Sequence, residues 1–146
     1  MTRTFTETVV IPLASPKDAK RTAAAVVPYL DPPPDHVLAV TVVEKTEGGM
    51  DKAPLEQMTE RAEETLEIVA ERFDEAGVPI ETRVLYGEKV IETILDAAQE
   101  ADASSIVMTP RNASRWVKLL SGDTALSLMM NTDRPLIVVP DPERAD

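Results

Sequence analysis

Short runs of apolar and β-branched residues recur along the chain, and a segment with helical periodicity lies between each run and the next. The five runs are Thr8–Leu13, His36–Val43, Ile80–Leu85, Ser105–Met108 and Leu136–Val139. Most of them are continuously apolar, which is typical of strands covered on both faces, as in a parallel sheet. Strands that alternate with helices predict right-handed βαβ units. We therefore predict an α/β fold with a five-stranded parallel, doubly wound sheet flanked by helices on both faces.

The segments between these runs carry helix start and stop signals. Ser15 stands where an N-cap belongs, Pro16 occupies the first helical position, and Asp18 follows three residues after the cap. Gly77 stands where a left-handed residue would end the second helix. The four predicted helices cover about 16–27, about 54–76, about 89–98, and a last segment from about 123 that ends before residue 134.

Acidic residues dominate the charge of the chain. There are 26 Asp and Glu against 15 Lys and Arg, of which six are lysines, and the net charge is −11 at pH 7. Such a surface repels nucleic acid and anionic membranes, so we expect no nucleic-acid partner. An acidic, lysine-poor surface is typical of a high-salt cytoplasm, and we expect a halophilic source; an ordinary acidic protein is the alternative. The second helix carries six glutamates that we expect on a solvated face: Glu56, Glu60, Glu63, Glu64, Glu67 and Glu71.

Several classes of protein are excluded by what the chain lacks. Its 146 residues suit one compact domain, and we expect a single domain over residues 1–146. The absence of cysteine removes thiol catalysis and Cys-based zinc sites, and the single histidine, His36, excludes a histidine-rich metal site, so no metal is expected. No apolar run approaches the roughly 20 residues that span a bilayer, and the first residues do not resemble a signal peptide. We expect a cytoplasmic protein without membrane insertion.

A ligand of an open parallel sheet binds beyond the carboxyl ends of the strands, where the strand order reverses. In this chain the loops concerned are 13–16, after the first strand, and 109–122, after the fourth. All five glycines lie away from the first loop, which excludes a dinucleotide fingerprint, and no P-loop pattern occurs. A Ser-His-acid triad would need His36, which we place at the opposite edge of the sheet, so we do not expect such a triad.

Four segments resemble the universal stress protein family. The family shows a first strand ending in Val-Pro-Val-Asp, a late Val-Met-Gly-Ser-Arg-Gly loop, a Leu-Leu-Leu-Gly-Ser stretch and a closing Pro-Val-Leu-Val-Val. The counterparts in this chain are Ile11–Ala14, Val107–Asn112, Leu119–Asp123 and Pro135–Val139. The resemblance extends over nearly the whole chain. It implies a Rossmann-like, adenine nucleotide alpha hydrolase-like fold and a binding or regulatory role in the stress response, without catalysis.

The resemblance also carries over the family's nucleotide-binding positions. They correspond to Pro12, Leu13, Ala14, Val42, Met108, Thr109, Asn112, Gly122, Asp123 and Thr124. ATP-binding members of the family share the pattern Gly-x2-Gly-x9-Gly-Ser/Thr. In this chain the same spacing falls on Thr109, Asn112, Gly122 and Asp123, so one of the three glycines remains. Thr109 is β-branched and therefore poorly suited to positive φ, and the carboxylate of Asp123 would repel a phosphate. The acid that the family has at the end of strand one is replaced by Ala14. We expect a degenerate site that does not bind ATP in the usual way, and no cofactor.

Basic residues nevertheless gather around the same crevice. No Asp or Glu occurs from residue 103 to residue 122, and the start of the first helix, which itself favours anions, faces this loop. The candidate anion-binding residues are Ser15, Lys17, Arg111, Arg115 and Lys118, with Lys20 and Arg21 nearby. Two interpretations stay open: a site for ATP with Mg, another nucleotide or a small-molecule anion, or basic side chains that are solvated or paired with carboxylates. Trp116 in this loop either stacks on a base or anchors the loop.

The last strand is a candidate sheet edge, and an apolar edge invites pairing. The resemblance implies a homodimer formed through this strand, whose residues are Leu136, Ile137, Val138 and Val139. A regulatory partner such as a membrane transporter or another protein is a further alternative, because domains of this family also occur fused to transporters. Leu126, Leu128, Met129 and Met130 precede this strand at helical spacing, and we expect them in the core.

Overall fold

The computed structural model describes residues 4–45, 52–109 and 124–141. The helices and strands within these ranges alternate along the chain, as the sequence predicts. In chain order they are β1 (Thr8–Pro12), α1 (Pro16–Val26), a 3₁₀ turn (Val27–Tyr29), β2 (His36–Glu44), α2 (Lys52–Glu75), β3 (Glu81–Gly87), α3 (Val90–Glu100), β4 (Ser105–Met108), α4 (Thr124–Asn131) and β5 (Leu136–Val138).

The five strands form one sheet in the order β3-β2-β1-β4-β5, and every neighbouring pair is parallel. The central strand β1 pairs with β2 on one side, where Val9 lies opposite Val37, and with β4 on the other, where Val10 lies opposite Ile106. This order confirms the predicted doubly wound α/β fold. The strand order reverses between β1 and β4, so their carboxyl ends lie side by side at the switch point.

The two faces of the sheet build separate parts of the core, because successive side chains of a strand point to opposite faces. Val9 and Ile11 pack in a buried cluster with residues of α1 and α2, including Phe73, which is fully buried. Val10 packs on the other face with Ala98 of α3. Leu128 of α4 joins this second face through a cluster at the carboxyl end of β4. Helices therefore cover both faces of the sheet.

The predicted helix signals act as expected. The Ser15 hydroxyl caps α1 by accepting a hydrogen bond from the backbone N–H of Asp18 at 3.1 Å. Gly77, with φ of +74°, ends the segment after α2, and the Val78 N–H donates back to the Phe73 carbonyl at 2.9 Å. The six glutamates of α2 named above are exposed, which confirms that they form a solvated face.

Two expectations need correction. Met129 and Met130 are 58% and 75% exposed, so the prediction that they pack in the core is wrong; α4 is short and buries only Leu128 of this run among the side chains described. The strand bounds also differ by a residue or two: β1 ends at Pro12, and β3 continues to Gly87. None of the helices in the described ranges is long and apolar enough to cross a membrane.

Candidate functional site

The carboxyl ends of β1 and β4 define the crevice where the sequence places a ligand. On the β1 side, Leu13 is buried and its N–H donates to the Val40 carbonyl at 2.8 Å, which fixes the chain as it leaves the sheet. Pro12 is half-buried and Ala14 is exposed. The hydrogen bond to β2 thus fixes the start of the turn from β1 into α1. The exposed residue of this turn, Ala14, has no functional group in its side chain.

The turn between β1 and α1 is closed by the carboxylate of Asp18. Its Oδ2 accepts a hydrogen bond from the Ala14 N–H at 2.9 Å, and its Oδ1 accepts from the Thr22 hydroxyl at 3.4 Å. A guanidinium nitrogen of Arg21 also donates to Oδ1. Asp18 is 8% exposed, so its carboxylate is enclosed by these partners. The sequence identified Asp18 as a capping acid but did not predict that it would bind the residue before the cap.

Arg21 links this turn to the chain that follows β5. Its Nε lies 3.8 Å from Oδ2 of Asp141, and one of its terminal guanidinium nitrogens is paired with Oδ1 of Asp18. Lys17 and Lys20, on the outer face of α1, are exposed. Of the basic residues that the sequence gathers near the crevice, Arg21 is therefore paired with carboxylates, and the anion role of Ser15 and Lys17 stays a prediction.

The β4 side of the crevice is apolar and tightly packed. Met108 is 9% exposed and lies in a cluster with Ile94 and Leu128, against which the half-buried Val42 packs. Thr109, the first residue after β4, is 4% exposed, and its hydroxyl has no hydrogen-bond partner among the described residues. Non-glycine positive φ occurs within the described ranges only at Asp102, so Thr109 leaves the strand with ordinary backbone geometry.

Most of the predicted phosphate loop lies outside the described residues. This applies to Arg111, Asn112, Arg115, Trp116, Lys118, Gly122 and Asp123. Thr124 is the first residue of α4. The structure therefore brings together the predicted positions on β1, β2 and β4, and the predictions for the loop between β4 and α4 stay predictions.

The β5 edge combines exposed and buried positions. Leu136 and Ile137 are half-buried, Val138 is 44% exposed, and Val139 is buried, with its N–H donating to the Met108 carbonyl at 2.9 Å. Of the four residues predicted to form a dimer contact, Val138 presents the most apolar surface. Met129 and Met130 of α4 come shortly before this strand in the chain, and their exposure was not predicted because helical spacing placed the whole run in the core.

Two further cavities lie away from the switch point. One, of about 390 Å³, is at the amino end of the strands and includes His36, which confirms that the histidine lies opposite the predicted ligand edge. The other, of about 580 Å³, lies between α2 and β3, where the Tyr86 hydroxyl is 3.1 Å from that of Thr59 and the Lys45 ammonium is 5.4 Å from the ring centre. Within the described ranges, no three histidine or acidic side chains converge as metal ligands.

The fold and its crevice define an α/β protein of the doubly wound class with its ligand edge at the β1–β4 switch point. The sequence matches the family model of the universal stress protein family over residues 6–140. The chain belongs to the universal stress protein family. No curated protein matches the sequence significantly.

Solved structures share this fold at low sequence identity. A universal stress protein from Archaeoglobus fulgidus in complex with dAMP is 20% identical, with a TM-score of 0.69 over 93% of this chain and 99% of that one. A family member from Burkholderia pseudomallei is 22% identical, with a TM-score of 0.73 over 95% and 99% of the two chains. A universal stress protein in complex with cAMP is 17% identical, with a TM-score of 0.64 over 94% and 99%. At these identities the likeness shows the fold alone.

Proposed function

We propose that this chain is a non-enzymatic, regulatory stress-response protein whose crevice does not hold ATP in the manner of ATP-binding family members. Two structural neighbours are in complex with dAMP and cAMP, and the switch point of an open parallel sheet is where a ligand is expected. The residues of this chain at that edge support a changed site. Its role is then exerted through binding to a partner or to a different ligand.

The observation that carries this proposal is the state of Thr109. Thr109 is 4% exposed, and its φ is not positive. It stands at the position where the pattern of the ATP-binding family members has a glycine. A phosphate-cradling loop uses glycine because the backbone must come close to the ligand or adopt positive φ. Thr109 offers neither property, because it carries a β-branched side chain and its φ is not positive. This supports a β4 loop that begins without a phosphate cradle.

The β1 side of the crevice supports the same proposal. The acid that the resemblance implies at the end of strand one is replaced by Ala14, and the Ala14 N–H is used by Asp18 at 2.9 Å. The side chain that would contact a nucleoside is therefore missing, and the adjacent backbone donor is engaged within the protein. A nucleotide bound in the usual orientation would lose partners on both strands.

Calorimetric titration with ATP, with and without magnesium, tests the proposal, and the fluorescence of Trp116 serves as a second readout because it is the only tryptophan. We expect no saturable signal up to millimolar ATP. Saturable binding at micromolar ATP would refute the proposal. The double variant Thr109→Gly, Asn112→Gly restores two of the glycines that the family pattern requires, and we expect it to bind ATP more tightly than the wild type.

The absence of catalysis is proposed from the placement of the ionisable groups. The single histidine, His36, opens β2 at the amino edge of the sheet, on the far side from the crevice, and the chain has no cysteine. These two residue types supply most general bases and thiol nucleophiles. Incubation with ATP and magnesium should release phosphate no faster than a protein-free blank, and release that scales with protein concentration would contradict this assignment.

A homodimer is the proposed assembly, formed through the β5 edge. Among the described strands β5 is the last in the sheet order, and the exposed side chains of Met129, Met130 and Val138 lie on α4 and β5, which are consecutive in the chain. A second copy that pairs along β5, as the resemblance implies, would cover exposed apolar side chains. The net charge of −11 and the six lysines support a high-salt cytoplasm as its environment. Sedimentation at high salt should give the mass of a dimer.

A further inference from the structure

Three donors at the β1–α1 turn converge on one internal carboxylate. Asp18 receives the Ala14 N–H, the Thr22 hydroxyl and the Arg21 guanidinium, while the Asp18 N–H is itself bound by the capping hydroxyl of Ser15. This combination of a backbone N–H beside a helix start, a hydroxyl and a guanidinium is the donor set that binds oxyanions in proteins. In this chain the oxyanion is supplied by the protein.

The charges around this carboxylate leave little attraction for a second anion. Arg21 lies between two carboxylates, with Asp18 on one side and Asp141 at 3.8 Å on the other. A phosphate placed at the β1 turn would lie beside the Asp18 carboxylate, and like charges so close to each other repel. The Asp18 carboxylate is 8% exposed, so solvent screens this repulsion only partly.

We infer that Asp18 is a specificity-determining residue, an internal anion that excludes negatively charged ligand groups from the β1 side of the crevice. The inference rests on the proposed function and adds a ligand class to it. A ligand that enters this edge presents an uncharged or cationic group to the β1–α1 turn. The carboxylate of Asp18 selects against anionic groups at this turn because it repels them.

The variant Asp18→Ala tests the inference with inorganic phosphate as the probe. It frees the Ala14 N–H and one side of Arg21, so we expect phosphate to bind about tenfold more tightly than to the wild type at low ionic strength. Glu92→Ala is the matched control, because Glu92 is an exposed acid in the first turn of α3 and its loss changes the net charge equally. A folded Asp18→Ala protein that gains no phosphate binding, or gains no more than Glu92→Ala, would overturn the inference.

A measurement on the wild-type protein covers the case in which Asp18→Ala does not fold. We expect the Ala14 amide and the Arg21 Nε–H to keep their NMR shifts as phosphate is added, because both groups donate to carboxylates or lie beside them. Saturable shifts at these two groups would refute the role of Asp18. The proposed function fails separately, by tight ATP binding to the wild type, and such binding with unchanged Ala14 and Arg21 signals would leave the Asp18 inference intact.

Discussion

Replacement of Gly87 by alanine tests how closely the end of β3 approaches the start of α3. A Cβ added at Gly87 would lie 3.2 Å from Cβ and 3.3 Å from Cγ2 of Thr93, and its contact with Oγ1 would be closer still. The Thr93 hydroxyl donates to the Lys89 carbonyl at 2.7 Å, so it cannot rotate away without losing that bond. Two groups therefore compete for one space at the first turn of α3.

The magnitude follows from opposing effects. An added methyl group in a closely packed site typically costs about 1–3 kcal/mol. Gly→Ala at a compatible φ stabilises by about 0.4–1 kcal/mol, because it lowers the conformational entropy of the unfolded chain. We expect Gly87→Ala to lower the free energy of unfolding by about 1–2 kcal/mol. In a Thr93→Ala background Oγ1 and Cγ2 are gone and only the contact with Cβ at 3.2 Å remains, so the same replacement should cost less than in the wild type.

Urea unfolding of the four proteins in this double-mutant cycle gives the coupling free energy between the two positions. A coupling of about 1–3 kcal/mol is expected, because the cost of the added methyl group depends on Thr93. An equal effect of Gly87→Ala in both backgrounds would show that the contact with Thr93 does not limit this position. It would then contradict the close approach of β3 and α3.

Three further predictions concern the core, the sheet edge and a surface carboxyl. Phe73→Ala should lower the free energy of unfolding by about 3–5 kcal/mol, because the fully buried ring leaves a cavity; a loss below about 1 kcal/mol in urea unfolding would contradict its place in the core. Val138→Lys should convert the proposed dimer to a monomer with unchanged circular dichroism, and an unchanged sedimenting mass would argue against pairing through β5. The pKa of the Asp133 carboxyl should lie below its ordinary value of 3.8, because Arg134 donates a hydrogen bond to it. Its contribution to stability is then complete above pH 3.8 and is lost as the pH falls through the lowered pKa; an NMR titration midpoint at or above 3.8 would be inconsistent with this pair.

The order of elements was predictable because it depends on local patterns. The apolar runs correspond to all five strands. Ser15 caps the start of α1, and Gly77 follows the end of α2, as the sequence predicts. The exposure of Met129 and Met130 was not predictable from spacing alone. Hydrophobic periodicity shows that a residue is apolar but not whether a short helix has a second surface to cover it.

The closure of the β1 turn by Asp18 was also beyond the sequence. A capping acid normally returns to the backbone N–H of the cap residue, whereas here it binds the preceding residue, Ala14. The pairing of Arg21 with Asp141 depends on where the chain runs after β5. Such contacts are set by tertiary structure, so a count of basic residues near a predicted crevice does not show which of them are paired with carboxylates.

The most direct test of the central claim is an amide NMR titration of the wild-type protein with magnesium and ATP. The account predicts no saturable shifts at Ala14 or Thr109 up to millimolar nucleotide, because one donor is engaged by Asp18 and the other position carries a buried threonine side chain. Saturable shifts at both residues at micromolar ATP would contradict it, since they would show a nucleotide held between the ends of β1 and β4.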